Sequence, residues 1–105
     1  MINLNPPVWG KADFTAKNSD GNSFSITATG RVRWALENLI VAGSKGCTPI
    51  DNPGPRWSGY VYDLRALGVL IETVTEAHDG PFKGTHARYV LQSTVSLVAE
   101  LEVAA

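Results

Sequence analysis

The stretch RWSGYVYDLRALGVLIETVT, residues 56 to 75, changes its hydrophobic period part-way along, and the reading of the fold turns on that change. Trp57, Tyr60, Val61, Leu64, Leu67 and Gly68 cluster on one side when laid out at about 100° per residue, the mark of an amphipathic helix. The spacing predicts a helix from about Pro55 to Leu67, with Pro55 suited to its first turn and Gly68 to its end. Its outward positions are then Ser58, Gly59, Tyr62, Asp63 and Ala66, with Arg56 and Arg65 at the flanks. From Val69 the β-branched content rises through Ile71, Thr73, Val74 and Thr75, which predicts a strand.

Downstream, Tyr89, Val90 and Leu91 predict a second strand over about 87–93, separated from the first by a turn-rich loop, residues 78–86, that holds two Gly and one Pro. The two strands read as a long-looped hairpin. The tail alternates Val95, Leu97, Ala99, Leu101 and Val103 against more polar partners and is read as a strand, although Leu97, Val98 and Leu101 also suit a helix. So apolar a face needs cover, from the N-terminal part of the chain or from a second copy.

Upstream of the helix, residues 44–56 contain Gly46, Pro49, Pro53, Gly54 and Pro55, which leaves room for one short helical turn near 49–52. Before that, Val32, Leu36, Leu39 and Ile40 recur at helical spacing and predict a helix over 30–42, with Thr29 supplying an N-cap hydroxyl and Gly43 the C-cap. Ala12, Phe14 and Ala16, then Phe24, Ile26 and Ala28, alternate with polar residues on either side of Asp20-Gly21. Residues 8–28 therefore read as a β-hairpin.

Composition bounds what such an α+β chain does. With 105 residues, 44 % of them hydrophobic and 18 % charged, it suits one core and one domain. No apolar run reaches membrane-spanning length, no secretory signal opens the chain, and the lone Cys47 has no internal disulfide partner; the expectation is a soluble cytoplasmic protein with no membrane partner. The net charge of −1 shows no domain-wide basic bias, yet residues 31–94 hold seven of the basic side chains, enough for a local patch.

The run SGYVYDLRALGVLIET, Ser58 to Thr73, followed by GTHARYVL, Gly84 to Leu91, resembles the winged helix-turn-helix domain of phage and prophage genes. The matching elements are Asp63, Leu64, Arg65 and Gly68 at the helix end, Ile71, Glu72 and Thr73 in the first wing strand, and Tyr89 and Leu91 in the second. The resemblance covers residues 30–93. It implies a winged helix (helix, short irregular helix, helix, two-stranded wing), here preceded by the N-terminal hairpin. It also implies duplex DNA as partner. One departure stands out: CTPIDNPGPRW, with three prolines, replaces a regular helix ahead of the reading helix.

On this reading the DNA-facing residues are Arg56, Ser58, Gly59, Tyr62 and Arg65 on the reading helix; Lys83, His86 and Arg88, together with His78, on the wing; and Arg31 and Arg33 at the start of the first long helix. Each has a plainer role. Asp63 and Arg65 serve equally to fix the helix against the wing, the wing residues to make an ordinary solvated loop, and Arg31 and Arg33 to solubilise the surface. Trp9, Trp34 and Trp57 read as core, Trp57 between helix and wing.

Catalytic and cofactor chemistry finds little support. Cys47 has no histidine near it in sequence and reads as a small buried hydrophobe, and two His with one Cys fall short of a four-ligand zinc site. Gly43-Ser44-Lys45-Gly46 lacks the order and the preceding strand of a phosphate loop. The competing reading is a phage-encoded protein-interaction module, for example an anti-CRISPR-like inhibitor docking on a host defence complex, which needs no basic patch. A homodimer through residues 95–103 is open on either reading.

Overall fold

The computed structural model describes residues 9–54, 56–79 and 84–101. Strand β1 (Ala12–Lys17) and strand β2 (Ser23–Ala28) form the expected hairpin, in register Phe14 to Ile26. Its turn closes through Asn18: Gly21 N donates to Asn18 O at 2.9 Å, and Gly21 takes φ +91°, a left-handed angle that a β-carbon would strain. Helix α1 (Gly30–Ala42) has the predicted bounds. Thr29 does not cap it as expected, since no side-chain cap bond is made and the hydroxyl donates instead to Trp9 O at 3.3 Å.

A 3-10 turn, Gly43–Lys45, extends α1, and Cys47 then makes a two-bond antiparallel bridge to Tyr89, with N···O distances of 2.9 and 2.8 Å. The short helix expected at 49–52 is a single turn: Asn52 N donates to Thr48 O at 2.8 Å, and Thr48 Oγ1 accepts from Asp51 N at 2.9 Å. Two tryptophans hold this proline-rich segment. Trp57 Nε1 donates to Asn52 O at 2.6 Å, and Gly54 lies so close to the Trp34 ring that a β-carbon would come within 2.8 Å of it.

Helix α2 (Trp57–Ala66) follows, two residues shorter at its start than expected and one shorter at its end; Pro55 lies outside the described residues. It stops at Gly68, φ +100°, where Gly68 N bonds Arg65 O (3.0 Å) and Val69 N bonds Leu64 O (3.1 Å). That paired closure satisfies carbonyls the last helical turn leaves open, and it needs a left-handed residue. Strands β3 (Ile71–His78) and β4 (Gly84–Leu91) pair antiparallel from Ile71–Leu91 out to His78–Gly84. The wing lies further out than the expected strands at 69–75 and 87–93: Val69, Leu70, Gln92 and Ser93 fall outside it, while cross-strand pairing carries the polar residues Glu76, His78 and His86 into it.

The tail is strand β5 (Thr94–Glu100), and it joins β1 of its own chain to make the order β2-β1-β5. Phe14 faces Leu97 while Asp13 faces Ala99, so Val98 is an extra residue in a bulge. The N-terminal hairpin thus pairs with the tail along one edge and Val95 is buried, while Leu97, Val98 and Leu101 stay exposed. The core runs continuously from Ala12, Phe14, Ile26 and Val95 through Leu36 and Leu39 of α1 to Trp57, Val61 and Leu64 of α2 and Tyr89 of the wing. Trp57 stacks on Tyr89 (centroids 6.1 Å apart, planes at 21°) and tilts against Trp34 at 5.3 Å, which locks helix to wing as expected of it.

Candidate nucleic-acid interface

Each cation named from the sequence has a different fate in the fold. Arg33 is buried, 6 % exposed, and cannot contact a ligand backbone. It reaches both carboxylate oxygens of Glu100, donates to Glu37 Oε2 at 2.7 Å and to Gly10 O at 2.8 Å, and lies over the Trp9 ring at 5.7 Å. The expectation that it sits on the surface beside Arg31 fails because its position faces the β1–β5 sheet. The Glu100 hydrogen bond, ahead of the opposing cost of burial, raises its pKa further, and the same bond holds the Glu100 carboxyl below the usual carboxylate range.

Arg88 and His86 are likewise tied down. Arg88 Nε and Nη2 donate to the Glu76 carboxylate, and Nη1 donates to Lys45 O at 2.9 Å, clamping the 3-10 turn to the wing. His86 Nε2 meets Glu76 Oε1 at 3.1 Å, and its Nδ1 lies 3.0 Å from His78 Nδ1. The imidazole centroids are 5.2 Å apart with planes at 24°, the separation of two rings pointing nitrogen at nitrogen. That head-on geometry suits a shared N–H···N bond and not a chelated ion, which needs lone pairs converging on one point. The Arg88 hydrogen bonds lower the Glu76 pKa more than burial raises it. These wing residues form a ladder within the protein, and Lys83 lies outside the described residues.

Arg65 has a structural role: Nη2 donates to Ile71 O at 2.6 Å and to Thr73 Oγ1 at 2.9 Å, fixing α2 to β3. An open trough of about 580 Å³ passes beside it, lined also by Ser19, Leu70, Glu72 and Gln92; its guanidinium is already engaged and Glu72 adds negative charge. Cys47 is fully buried, and burial, the largest influence, pushes its thiol pKa up, which keeps the sulfur protonated.

What the fold does bring together is a groove of about 310 Å³ between α1 and α2, lined by Arg31, Val32, Arg56, Gly59, Tyr60, Tyr62 and Asp63. Four of the residues named from the sequence meet here: Arg31, Arg56, Gly59 and Tyr62. Ser58 is exposed on the same helix. Among the described residues, neither Arg31 nor Arg56 has an ion pair or a side-chain hydrogen bond, so both guanidinium groups stay available. Arg56 extends over Gly59, whose missing β-carbon leaves 3.8 Å to Arg56 Cβ and Nε.

The electrostatics come from the backbone as much as from the side chains. Arg31 and Val32 belong to the first turn of α1, and Arg56 and Gly59 to the N-terminal end of α2, so the two helix N-termini converge on one groove. Neither has an acidic residue in its first turn, and neither is capped by a side chain. Such ends leave N–H groups without intrahelical partners and carry a partial positive charge that favours anions. The Tyr60 hydroxyl, on a residue that lines the groove, is buried with no hydrogen-bond partner among the described residues, at a cost of about 1–3 kcal/mol.

Sequence reasoning placed these arginines on separate elements and missed their convergence. The signal was present, since GRVR at 30–33 and PRWS at 55–58 each open a helix with arginine and no acidic cap. Asp63, set aside there as a structural residue, has no side-chain partner among the described residues and lines the groove.

A family model described as a winged helix domain matches residues 25–101, nearly three quarters of the chain. No curated protein and no solved structure gives a match. Among the described residues no helix is long and apolar enough to cross a membrane, and no cluster of three or more metal-ligating side chains occurs.

Proposed function

The chain belongs to the winged helix domain family, and we propose that it is a small DNA-binding regulator of the phage and prophage type. In this reading it grips duplex DNA through the groove between α1 and α2 and acts by binding, without a cofactor. One observation carries the reading: the groove gathers two helix N-termini and two guanidinium groups unpaired among the described residues, the arrangement that phosphate oxygens reward. α2 then lies in the major groove with Ser58, Tyr62 and Asp63 toward the bases, and Arg31 and Arg56 hold the backbone. The phage origin is supported by the Ser58–Thr73 and Gly84–Leu91 resemblance.

Because Arg88 and His86 are engaged within the wing, the electrostatic grip is small, and binding is strongest at low salt. Polarisation titration of labelled duplexes in low salt is expected to saturate. A folded protein that binds no duplex would overturn the proposal.

A protein partner is the second reading, favoured by Tyr62, which stands 75 % exposed on α2 in a chain of net charge −1. A host defence complex is one such partner. On either reading, self-association would use the free edge of β5, where Leu97, Val98 and Leu101 are exposed.

A further inference from the structure

Asp63 is the one negative charge on a groove whose other ionic features are positive. It is exposed and makes no ion pair with Arg31 or Arg56, although all three line the same recess. A carboxylate that neutralised a neighbouring arginine would be structural; this one is left free. Facing phosphates, it costs affinity. The groups on a major-groove surface that reward a lone carboxylate are the exocyclic amino donors, cytosine N4 and adenine N6.

The two are not equivalent. Adenine N6 is flanked by acceptors on both sides, its own N7 and the O4 of thymine, which repel a carboxylate. Cytosine N4 has an acceptor, guanine O6, on one side only, and a carbon-bound hydrogen on the other. Seven residues separate Arg56 from Asp63, about 10 Å along α2, so a guanidinium on the backbone at the helix start leaves the carboxylate about three base steps further along the groove.

We propose that Asp63 is a specificity-determining residue that accepts a hydrogen bond from cytosine N4, so that the protein prefers a C·G pair at one fixed position of its site. This inference rests on the DNA-binding reading above. It also explains why a binding surface so short of positive charge retains an acidic residue: the carboxylate gives up general affinity for discrimination.

The test is selection from a randomised duplex library with the full-length protein and with Asp63→Ala and Asp63→Asn, each first shown by circular dichroism to be folded. The unaltered protein is expected to select cytosine at one position by about tenfold over other bases. Asp63→Ala should erase the preference at that position alone while tightening binding to unselected duplex. Asp63→Asn should move it toward adenine, whose N6 and N7 an amide can pair together. Saturable binding whose base preferences are unchanged in Asp63→Ala would overturn the role of Asp63 and leave the DNA-binding reading standing. No saturable binding by the unaltered protein would overturn both.

Discussion

Replacing both Arg31 and Arg56 by alanine tests the groove directly, because these two guanidinium groups have no side-chain partners among the described residues while Arg33, Arg65 and Arg88 are engaged. For duplex DNA the logarithm of the binding constant falls with the logarithm of salt by about 0.9 per phosphate neutralised. Raising salt from roughly 50 to 200 mM therefore costs about 3.5-fold in affinity for each contact. Losing two contacts should lower the slope by about 1.8 and make the double variant about 12-fold less sensitive over that range. The assay is polarisation of one labelled duplex at five or six salt concentrations, with unfolding curves to show that stability is unchanged. Arg88→Ala is the control, because it should loosen the 3-10 turn from the wing and lower stability while leaving the slope alone. An unaltered slope in the double variant, or an equal fall in Arg88→Ala, would refute the assignment of phosphate contacts to this groove.

Gly59→Ala should stabilise the protein by about 0.5–1 kcal/mol in urea unfolding, since α2 gains helix propensity and the new methyl meets nothing nearer than 3.8 Å, while the filled groove floor weakens DNA binding. Gly46→Ala should do the reverse. Its β-carbon would fall 2.6 Å from Tyr89 O and 2.9 Å from Val90 Cγ2 at φ +72°, and a loss of about 3 kcal/mol or more in the same assay is expected. Glu76 and Glu100 have carboxyl pKa values held below the ordinary 4.5 by hydrogen bonds from Arg88 and Arg33. Their contribution is full above that value and is lost as pH falls through the depressed folded pKa, so thermal midpoints should drop on acidification below about 4.5 and do so less steeply in Glu76→Gln/Glu100→Gln. Light scattering of the full chain measures self-association; if a dimer uses the β5 edge, Val98→Lys should return it to monomer, and a dimer indifferent to that change would place the interface elsewhere.

Local sequence was sufficient for the elements whose stability depends on short-range pattern. The bounds of α1, the body of α2, both hairpins and the strand character of the tail follow from hydrophobic period, from Gly21, Gly43 and Gly68 at turns, and from proline exclusion over 49–55. The wing reaches further out than predicted because its outer pairs are held by Glu76, His78 and His86, polar side chains beyond the predicted strand ends, the two histidines in the predicted loop.

The candidate site was legible residue by residue but not as a place. Arg31, Arg56, Gly59 and Tyr62 were all picked out, yet Arg33, Arg88 and His86 looked equally available, because a charged side chain carries no mark of whether a carboxylate will fold against it. Glu100 comes from the far end of the chain to engage Arg33, and Glu76 comes from across the wing to engage Arg88. Long-range pairing of this kind depends on the packing of α1 against the β1–β5 sheet and on the cross-strand register of the wing. Residue type and spacing say which cations exist; the fold pairs Arg33 and Arg88 with carboxylates, ties Arg65 to β3, and brings Arg31 and Arg56, unpaired among the described residues, to adjoining helix N-termini.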